Sequence, residues 1–138
     1  MALLTEKMDM DFRAITYDTA LNNEVNTYAA ANAVDMKDAL RVVFQVNCPA
    51  MAASGICIWT VEESADTTDG NFSGTALTAY TVTHTQASSE ADVPKTIEVP
   101  ASAMTATKRY LRLKATASGS ANIAITALAV RELVYSNV

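Results

Sequence analysis

Hydrophobic positions along this chain mostly alternate with polar ones, which is the pattern of half-buried β-strands. The clearest run covers 39–47, where Val42, Phe44 and Val46 share one face. Similar runs, rich in β-branched residues, are separated by clusters of Gly, Pro, Asn, Asp and Ser. The predicted strands are 12–17, 39–47, 56–63, 75–84, 95–99, 108–117 and 121–133. The pattern therefore predicts an all-β domain.

Two segments do not follow this alternation. The Met-rich first 11 residues have mixed charge and predict an N-terminal arm at 1–11, followed by one domain at 12–138. The segment 21–34 is ambiguous, because its alanine run could be helical. The asparagines within it favour a β segment, since Asn competes with helical backbone hydrogen bonds.

Register predicts two hairpins. In the first, Phe44 lies opposite Val61 and Val46 lies opposite Trp59, so that the apolar groups share one face. A slip of one residue would set them against polar partners. The sequence therefore predicts that strands 39–47 and 56–63 are hydrogen-bonded neighbours.

The second predicted hairpin joins 108–117 to the last strand. It places Leu113 opposite Ile125 and Leu111 opposite Ala127, with Arg112 and Lys114 on an outer, solvated face. Seven or eight short strands and no long helix imply two packed sheets. We expect a two-sheet antiparallel β-sandwich, with jelly-roll topology first and an immunoglobulin-like arrangement second.

Composition narrows the function. Half of the residues are apolar but only 7% are aromatic, so the core must be built largely from small side chains. A net charge of −5 argues against nucleic acid and anionic membrane surfaces as partners. No apolar run is long enough for a transmembrane helix, and the N-terminus lacks the features of a secretion signal. We expect synthesis in a cytoplasm.

Groups suited to catalysis are sparse and scattered. The single histidine, His84, stands at a strand end among threonines and is interpreted as a surface residue. A triad would need a nucleophile and an acid beside it, and zinc would need more ligands than one His and two Cys. The sequence therefore predicts no enzyme, no cofactor and no metal.

A calcium site in the polar loop 64–74 is the weaker of two interpretations. Asp66 and Asp69 lie there near Glu62 and Glu63, and calcium prefers such oxygen ligands. Their spacing does not match an EF-hand, and loops of this composition are usually solvated. The two glutamates should point to opposite faces of their strand, which excludes them as an acid/base pair. Phe72 in the same loop is expected to plug the edge of the core.

Cys48 and Cys57 fall opposite each other in the first predicted hairpin. They could form a disulfide or remain two reduced, buried apolar groups, and a reducing cytoplasm favours the second alternative. Trp59 lies on the apolar face of its strand and is predicted to belong to the core.

Both ends of the chain carry apolar residues with no evident place in the core. Exposed apolar segments of this kind suggest a partner that orders them, although simple fraying would explain them equally well. The interface candidates are Leu3, Leu4, Met8, Met10, Leu133 and Tyr135.

Two stretches resemble a known family. They are 58–66, Ile-Trp-Thr-Val-Glu-Glu-Ser-Ala-Asp, and 108–121, Lys-Arg-Tyr-Leu-Arg-Leu-Lys-Ala-Thr-Ala-Ser-Gly-Ser-Ala. Together with the Ala/Ile/Val-rich last strand, they are similar to small capsid cement (decoration) proteins of tailed phages. The likeness covers the chain from about Phe12 onward and does not include the arm.

The resemblance implies a jelly-roll-like virion protein on the outer surface of an icosahedral capsid. It would bind the major capsid protein, bridge neighbouring subunits and form homo-oligomers, with a dimer favoured over a trimer. It offers no catalytic residue to carry over, in agreement with the composition and charge, which predict no cofactor, nucleic acid or membrane partner. The alternative is a carbohydrate- or receptor-binding β-sandwich of a phage fibre or spike.

Overall fold

A computed structural model describes residues 10–16, 25–27, 33–47, 54–72, 75–85, 93–118 and 126–133. The strands are β1 (Met10–Thr16), β2 (Val25–Thr27), β3 (Val34–Asp35), β4 (Ala39–Asn47), β5 (Ile56–Ser64), β6 (Ala76–Thr85), β7 (Lys95–Pro100), β8 (Tyr110–Ser118) and β9 (Thr126–Leu133). Short 3₁₀ turns lie at Asp69–Phe72 and Ala101–Ala103. In these ranges no helix has the length and apolar character needed to cross a membrane.

The strands form two antiparallel sheets. The first sheet has the order β1-β9-β4-β7, and the second sheet has the order β2-β8-β5-β6, with β3 also paired to β8. The inner faces of the two sheets enclose one main hydrophobic core. The predicted two-sheet antiparallel β-sandwich is therefore confirmed.

Strand pairing is nested from the middle of the chain outward. The innermost pair is β5–β6, followed by β4–β7, then β2 and β3 with β8, and finally β1–β9. Successive pairs lie alternately in the second and the first sheet. One long antiparallel hairpin rolled up in this way is a jelly roll, the first of the two predicted topologies.

The first predicted hairpin is wrong. β4 pairs with β7 and β9, whereas β5 pairs with β6 and β8. Phe44 and Trp59 both point into the core as predicted, but from opposite sheets. Alternation determines which side chains a strand buries, but it does not determine the sheet to which the strand belongs.

The second predicted hairpin is wrong for the same reason, because β8 belongs to the second sheet and β9 to the first. Leu111 and Leu113 are buried as predicted. Their cross-strand partners are Glu63 and Val61 on β5. Ile125 lies outside the described residues.

Two boundaries differ from the predictions. β1 begins at Met10, two residues before the predicted strand, because Met10 and Asp11 pair with Glu132 and Arg131. Residues 1–9 of the predicted arm lie outside the described residues. The ambiguous segment contributes the strand β2 and the first residue of β3, which agrees with its interpretation as β.

His84 is not the surface residue that the sequence predicts. It lies opposite Cys57 on the inner face of the second sheet, and its side chain is fully buried. Trp59 Nε1 donates a hydrogen bond to His84 Nδ1 over 3.1 Å, and His84 Nε2 lies 2.8 Å from the carbonyl oxygen of Val93. These partners fix the neutral tautomer with its proton on Nε2, the nitrogen that donates to Val93.

Trp59 is fully buried, as predicted, and is among the largest side chains of the core. We expect Trp59→Ala to lower the free energy of unfolding by about 3–5 kcal/mol, because it leaves a cavity. Trp59→Phe should cost less, since its phenyl ring fills part of the indole volume, although the donor to His84 is lost. Urea unfolding of both variants measures these costs, and a cost below about 1 kcal/mol for the alanine variant would contradict the packing.

Candidate functional site

One end of the sandwich carries several features together. The turn 36–38 and the loops that begin at 65 and 101 lie there, because β3, β5 and β7 all run toward that end. β1 begins and β9 ends at the same place, since Met10 lies opposite Glu132. We call it the terminal end.

The predicted interface candidates fall partly at this end. Met10 opens β1, and Leu133 closes β9 opposite Ala39, the first residue of β4. The structure therefore brings the backbones of these two candidates to one end of the first sheet. Leu3, Leu4, Met8 and Tyr135 lie outside the described residues, and their role as partner contacts stays a prediction.

An open cleft of about 240 Å³ lies at the terminal end. Sequence reasoning missed it, because its lining comes from two segments that lack a strand pattern. Part of its lining is continuous with the core, since Met36 is buried and Met104 packs against the main cluster. The residues around it are Met36, Lys37, Ala101, Met104, Thr105, Ala106, Lys108 and Arg109.

Hydrogen bonds hold the first wall of the cleft in place. The amide of Met36 donates to the carbonyl oxygen of Arg109 over 2.8 Å. The Arg109 guanidinium binds Asp35 with two hydrogen bonds of 2.6 and 2.7 Å, and this pairing raises the pKa of Arg109 above its usual value. Asp38 has φ of 58°, a left-handed conformation that Asp tolerates better than most residues. The turn 36–38 is thus shaped before any ligand arrives.

The second wall is anchored through Glu63. Its carboxylate accepts a hydrogen bond of 2.9 Å from the amide of Thr105 and another from the Thr105 hydroxyl. The amide of Lys108 donates to the carbonyl oxygen of Thr105 over 2.8 Å, and the amide of Arg109 donates to that of Ser64 over 2.9 Å. The loop 101–109 is therefore held to β5 at its middle and at its last residue.

The cleft is basic, although the chain is acidic. Three of its eight lining residues are Lys37, Lys108 and Arg109, and none of the eight carries a carboxylate. In the whole chain, acidic residues outnumber Lys and Arg by 15 to 10. Asp35 lies behind Arg109 as its partner. The cleft therefore combines an apolar surface with two lysine ammonium groups.

An ion pair is buried on the outer side of the second sheet. Arg112 binds Glu62 through Nε and through a terminal nitrogen, both at 3.0 Å, and Lys114 lies 3.4 Å from the same carboxylate. The side chain of Arg112 is only 6% exposed, so its predicted solvated position is wrong. Its guanidinium carbon lies 4.4 Å from the centre of the Phe72 ring, which covers it.

Phe72 is fully buried, but it does not join the main core. It packs with Ala33 and Tyr110 in a smaller cluster next to Arg112. Phe72 is therefore buried as predicted, but it does not close the edge of the main core. The loop seals the outer side of the sheet and thereby dehydrates the Glu62–Arg112 pair.

Asp66 organises the polar loop itself. Its carboxylate accepts a hydrogen bond of 2.8 Å from the amide of Thr68 and bonds of 2.9 and 3.1 Å from the Asn71 amide group. These bonds lower the pKa of Asp66. No group of three potential metal ligands occurs among the described residues, and the side chain of Asp69 is outside them. Calcium at this loop stays an untested alternative.

The middle of the second sheet presents an uncharged outer face. Cross-strand rows place Thr116 and Thr83 beside Ile58, whose side chain is 36% exposed. The neighbouring rows continue with β-branched residues on β5 and β6, but their members on β8 are Ser118 and Lys114, so Lys114 borders this surface. We define the uncharged face as Ile56, Ile58, Thr60, Thr81, Thr83, Thr85 and Thr116.

Removing one partner of the buried ion pair should be costly. We expect Arg112→Met to lower the free energy of unfolding by about 3–5 kcal/mol, because Glu62 is left as a buried, poorly compensated charge. The double variant Glu62→Leu/Arg112→Met should recover most of this loss. A double-mutant cycle by urea unfolding measures the coupling, and additive effects would show that the pair is not coupled.

Asp66 should titrate below its ordinary value. Because the folded state lowers its pKa, its contribution to loop stability is present above about pH 4 and is lost as the pH falls through the folded pKa. The amide proton shift of Thr68, followed by NMR, reports this step. Asp66→Asn should abolish it, and a midpoint at or above pH 4 would contradict the role of these hydrogen bonds.

Comparison with known proteins yields no family. No family model and no curated protein matches the chain. A solved structure described as "Bacillus endospore appendages form a novel family of disulfide-linked pili" is similar at 10% identity, with a TM-score of 0.52, over 98% of this chain and 97% of that one.

Two structures of the family 11 carbohydrate-binding module from Clostridium thermocellum are more distant, with TM-scores of 0.40 and 0.39. Their identities are 11% and 12%, over 94% and 96% of this chain and 85% and 87% of theirs. One of them contains a mixed-linked tetrasaccharide. The comparison therefore establishes only that the chain shares a fold with a pilus-forming protein.

Proposed function

We propose that this protein is a structural virion protein that binds the outer surface of an icosahedral phage capsid. It stabilises the shell by bridging neighbouring subunits of the major capsid protein, and it acts without catalysis. The observation that carries this proposal is the uncharged face of the second sheet.

Charge is depleted at the centre of protein interfaces, where desolvating a charged group is costly. Charged residues make up 18% of the chain, and in the three cross-strand rows that contain the uncharged face the one charged residue is Lys114, at its border and turned to Glu62. β-Branched side chains are also stiff at χ1, so that ordering them against a partner costs little entropy. Both properties suit a face that lies flat on another protein.

The buried ionisable groups support a structural role. Glu62 is held by Arg112, Glu63 by Thr105, and His84 by Trp59 and the backbone of Val93. Each of these interactions serves the packing of a loop or a sheet edge. General acid or base catalysis would need such a group to reach a substrate instead.

Bridging needs a second contact beyond the uncharged face. The terminal end offers one, because the chain enters β1 and leaves β9 there, next to the cleft. A clamp that binds only the assembled shell stabilises it by RT ln(1 + [L]/Kd) at each site. Repetition over the lattice, and the homo-oligomer implied by the resemblance, multiply a modest affinity.

The alternative of a carbohydrate- or receptor-binding domain of a fibre or spike needs an accessible aromatic platform. Trp59 does not provide it, because its side chain is fully buried and bonded to His84. We therefore keep the capsid role as the proposal and leave the alternative to the experiment.

Co-sedimentation with expanded, undecorated capsids tests the proposal. We expect saturation at a fixed number of copies per shell subunit. Ile58→Lys should weaken binding at least tenfold, because it places a charge in the uncharged face. Gln45→Lys is the matched control, since it adds a lysine at an exposed position of β4, in the other sheet. It should bind as the parent protein does.

Three outcomes would overturn the capsid proposal. One is no saturable binding to shells, and a second is an equal effect of both lysine variants. The third is polymerisation of the free protein into filaments, which would indicate an assembly like the pili of the similar Bacillus structure. Binding on a glycan array would favour the carbohydrate alternative.

A further inference from the structure

We infer that the cleft at the terminal end binds a short partner segment in which a carboxylate stands beside an apolar side chain. This inference rests on the proposed function, in which the segment belongs to the major capsid protein. It assigns a chemistry to the second contact that bridging requires.

Charge complementarity identifies the carboxylate. Lys37 and Lys108 line the cleft, and within the described part of the chain neither ammonium group makes an ion pair. Lys108 lies near enough to Asp66 to lower the pKa of that carboxyl, and Asp38 lies near Arg109. Neither acid lines the cleft, so a ligand carboxylate would meet the two lysines directly.

The apolar part of the ligand follows from the methionines. Met36 and Met104 join the cleft to the core cluster, and Ala101 and Ala106 complete an uncharged lining between the cations. Methionine adapts to irregular apolar partners. A volume of about 240 Å³ admits one or two side chains and excludes a folded domain.

The walls of the cleft are already held in place by hydrogen bonds before a ligand binds. The Asp35–Arg109 pair fixes one wall, and the Glu63–Thr105 bonds fix the other. Walls that are already ordered lose little entropy when a ligand arrives. The two lysine side chains are the groups that the ligand carboxylate would order.

The test uses the full chain and a defined probe. The peptide acetyl-Leu-Asp-Leu-Glu-amide is titrated into protein labelled on its methionine methyl groups, and the signals of Met36 and Met104 are followed by NMR. We expect saturable shifts that weaken with added salt. The neutral peptide acetyl-Leu-Asn-Leu-Gln-amide should bind at least tenfold more weakly, because it lacks the carboxylates.

Lys37→Gln/Lys108→Gln should reduce affinity for the acidic peptide at least tenfold. Arg41→Gln/Gln45→Glu is the matched control, because it changes the net charge by the same −2 on the outer face of β4, away from the cleft lining. It should leave the peptide affinity within twofold. Equal losses in both variants, or no shifts at all with the parent protein, would overturn the inference.

Shell binding of the same variants separates the two proposals. Loss of both peptide and shell binding in the lysine variant supports the inference and the capsid role together. If the parent protein binds the peptide but not the shells, the cleft is still a carboxylate-binding site and the capsid role is overturned. Loss of peptide binding with unchanged shell binding overturns the assignment of the segment to the capsid protein.

Residues 1–9 of this chain are the remaining candidate occupant, because β1 begins at the same end. Deletion of residues 2–9 distinguishes them from a partner segment. We expect unchanged affinity for the acidic peptide. A rise of tenfold or more would show that the chain's own segment competes for the cleft, and it would overturn the partner assignment.

Discussion

Packing of the two inner sheet faces against each other is the interaction on which the rest of this domain depends. Only one consecutive pair of described strands, β5 and β6, shares a ladder of hydrogen bonds. The other consecutive strands are not hydrogen-bonded to each other, and most of the connections between them cross from one sheet to the other. Core contacts such as that between the two inner faces, to which Phe44 and Trp59 contribute from opposite sheets, therefore hold these strands together, whereas in a meander tight turns do so. Along the β6–β7 edge, Lys95 Nζ also donates to the carbonyl oxygen of Thr83 over 2.5 Å, and His84 reaches Val93.

Charge is distributed differently over the second sheet and the terminal end. Glu62 and Arg112 are buried beneath Phe72, and Lys114 turns to the same carboxylate, so the uncharged face in the middle of the same sheet is bordered by one charged residue. At the terminal end the balance is reversed, because an acidic chain places lysines around an apolar cleft. A partner would thus meet two chemically distinct surfaces, and each would reject segments that suit the other.

The sequence predicted which side chains each strand buries better than it predicted which strands pair. Alternation identified the buried sides of β4 and β8, because side-chain direction has a period of two along any strand. It could not identify their partners, since many registers align apolar faces equally well and a jelly roll separates consecutive strands.

The surface position predicted for His84 was wrong because the prediction followed the polar character of histidine and not its place in the alternation. The available signal was that His84 lies two residues from Val82 on β6 and therefore on the same face, and Val82 pairs with the buried Trp59 of β5. The cleft was missed because Met36 and Met104 come together only through tertiary structure.

Nested pairing also sets the order in which the domain can form during translation. β1 leaves the ribosome before the other eight described strands, but its partner is β9, the last of them, since Met10 lies opposite Glu132. The first sheet therefore cannot close around β1 until β9 has emerged, whereas β5 and β6 can pair early. Such distant contacts slow folding and leave strand edges exposed in the nascent chain. Because β1 and β9 close the fold last, a product that ends before β9 lacks the hydrogen-bonded partner of both β1 and β4 and cannot complete the first sheet.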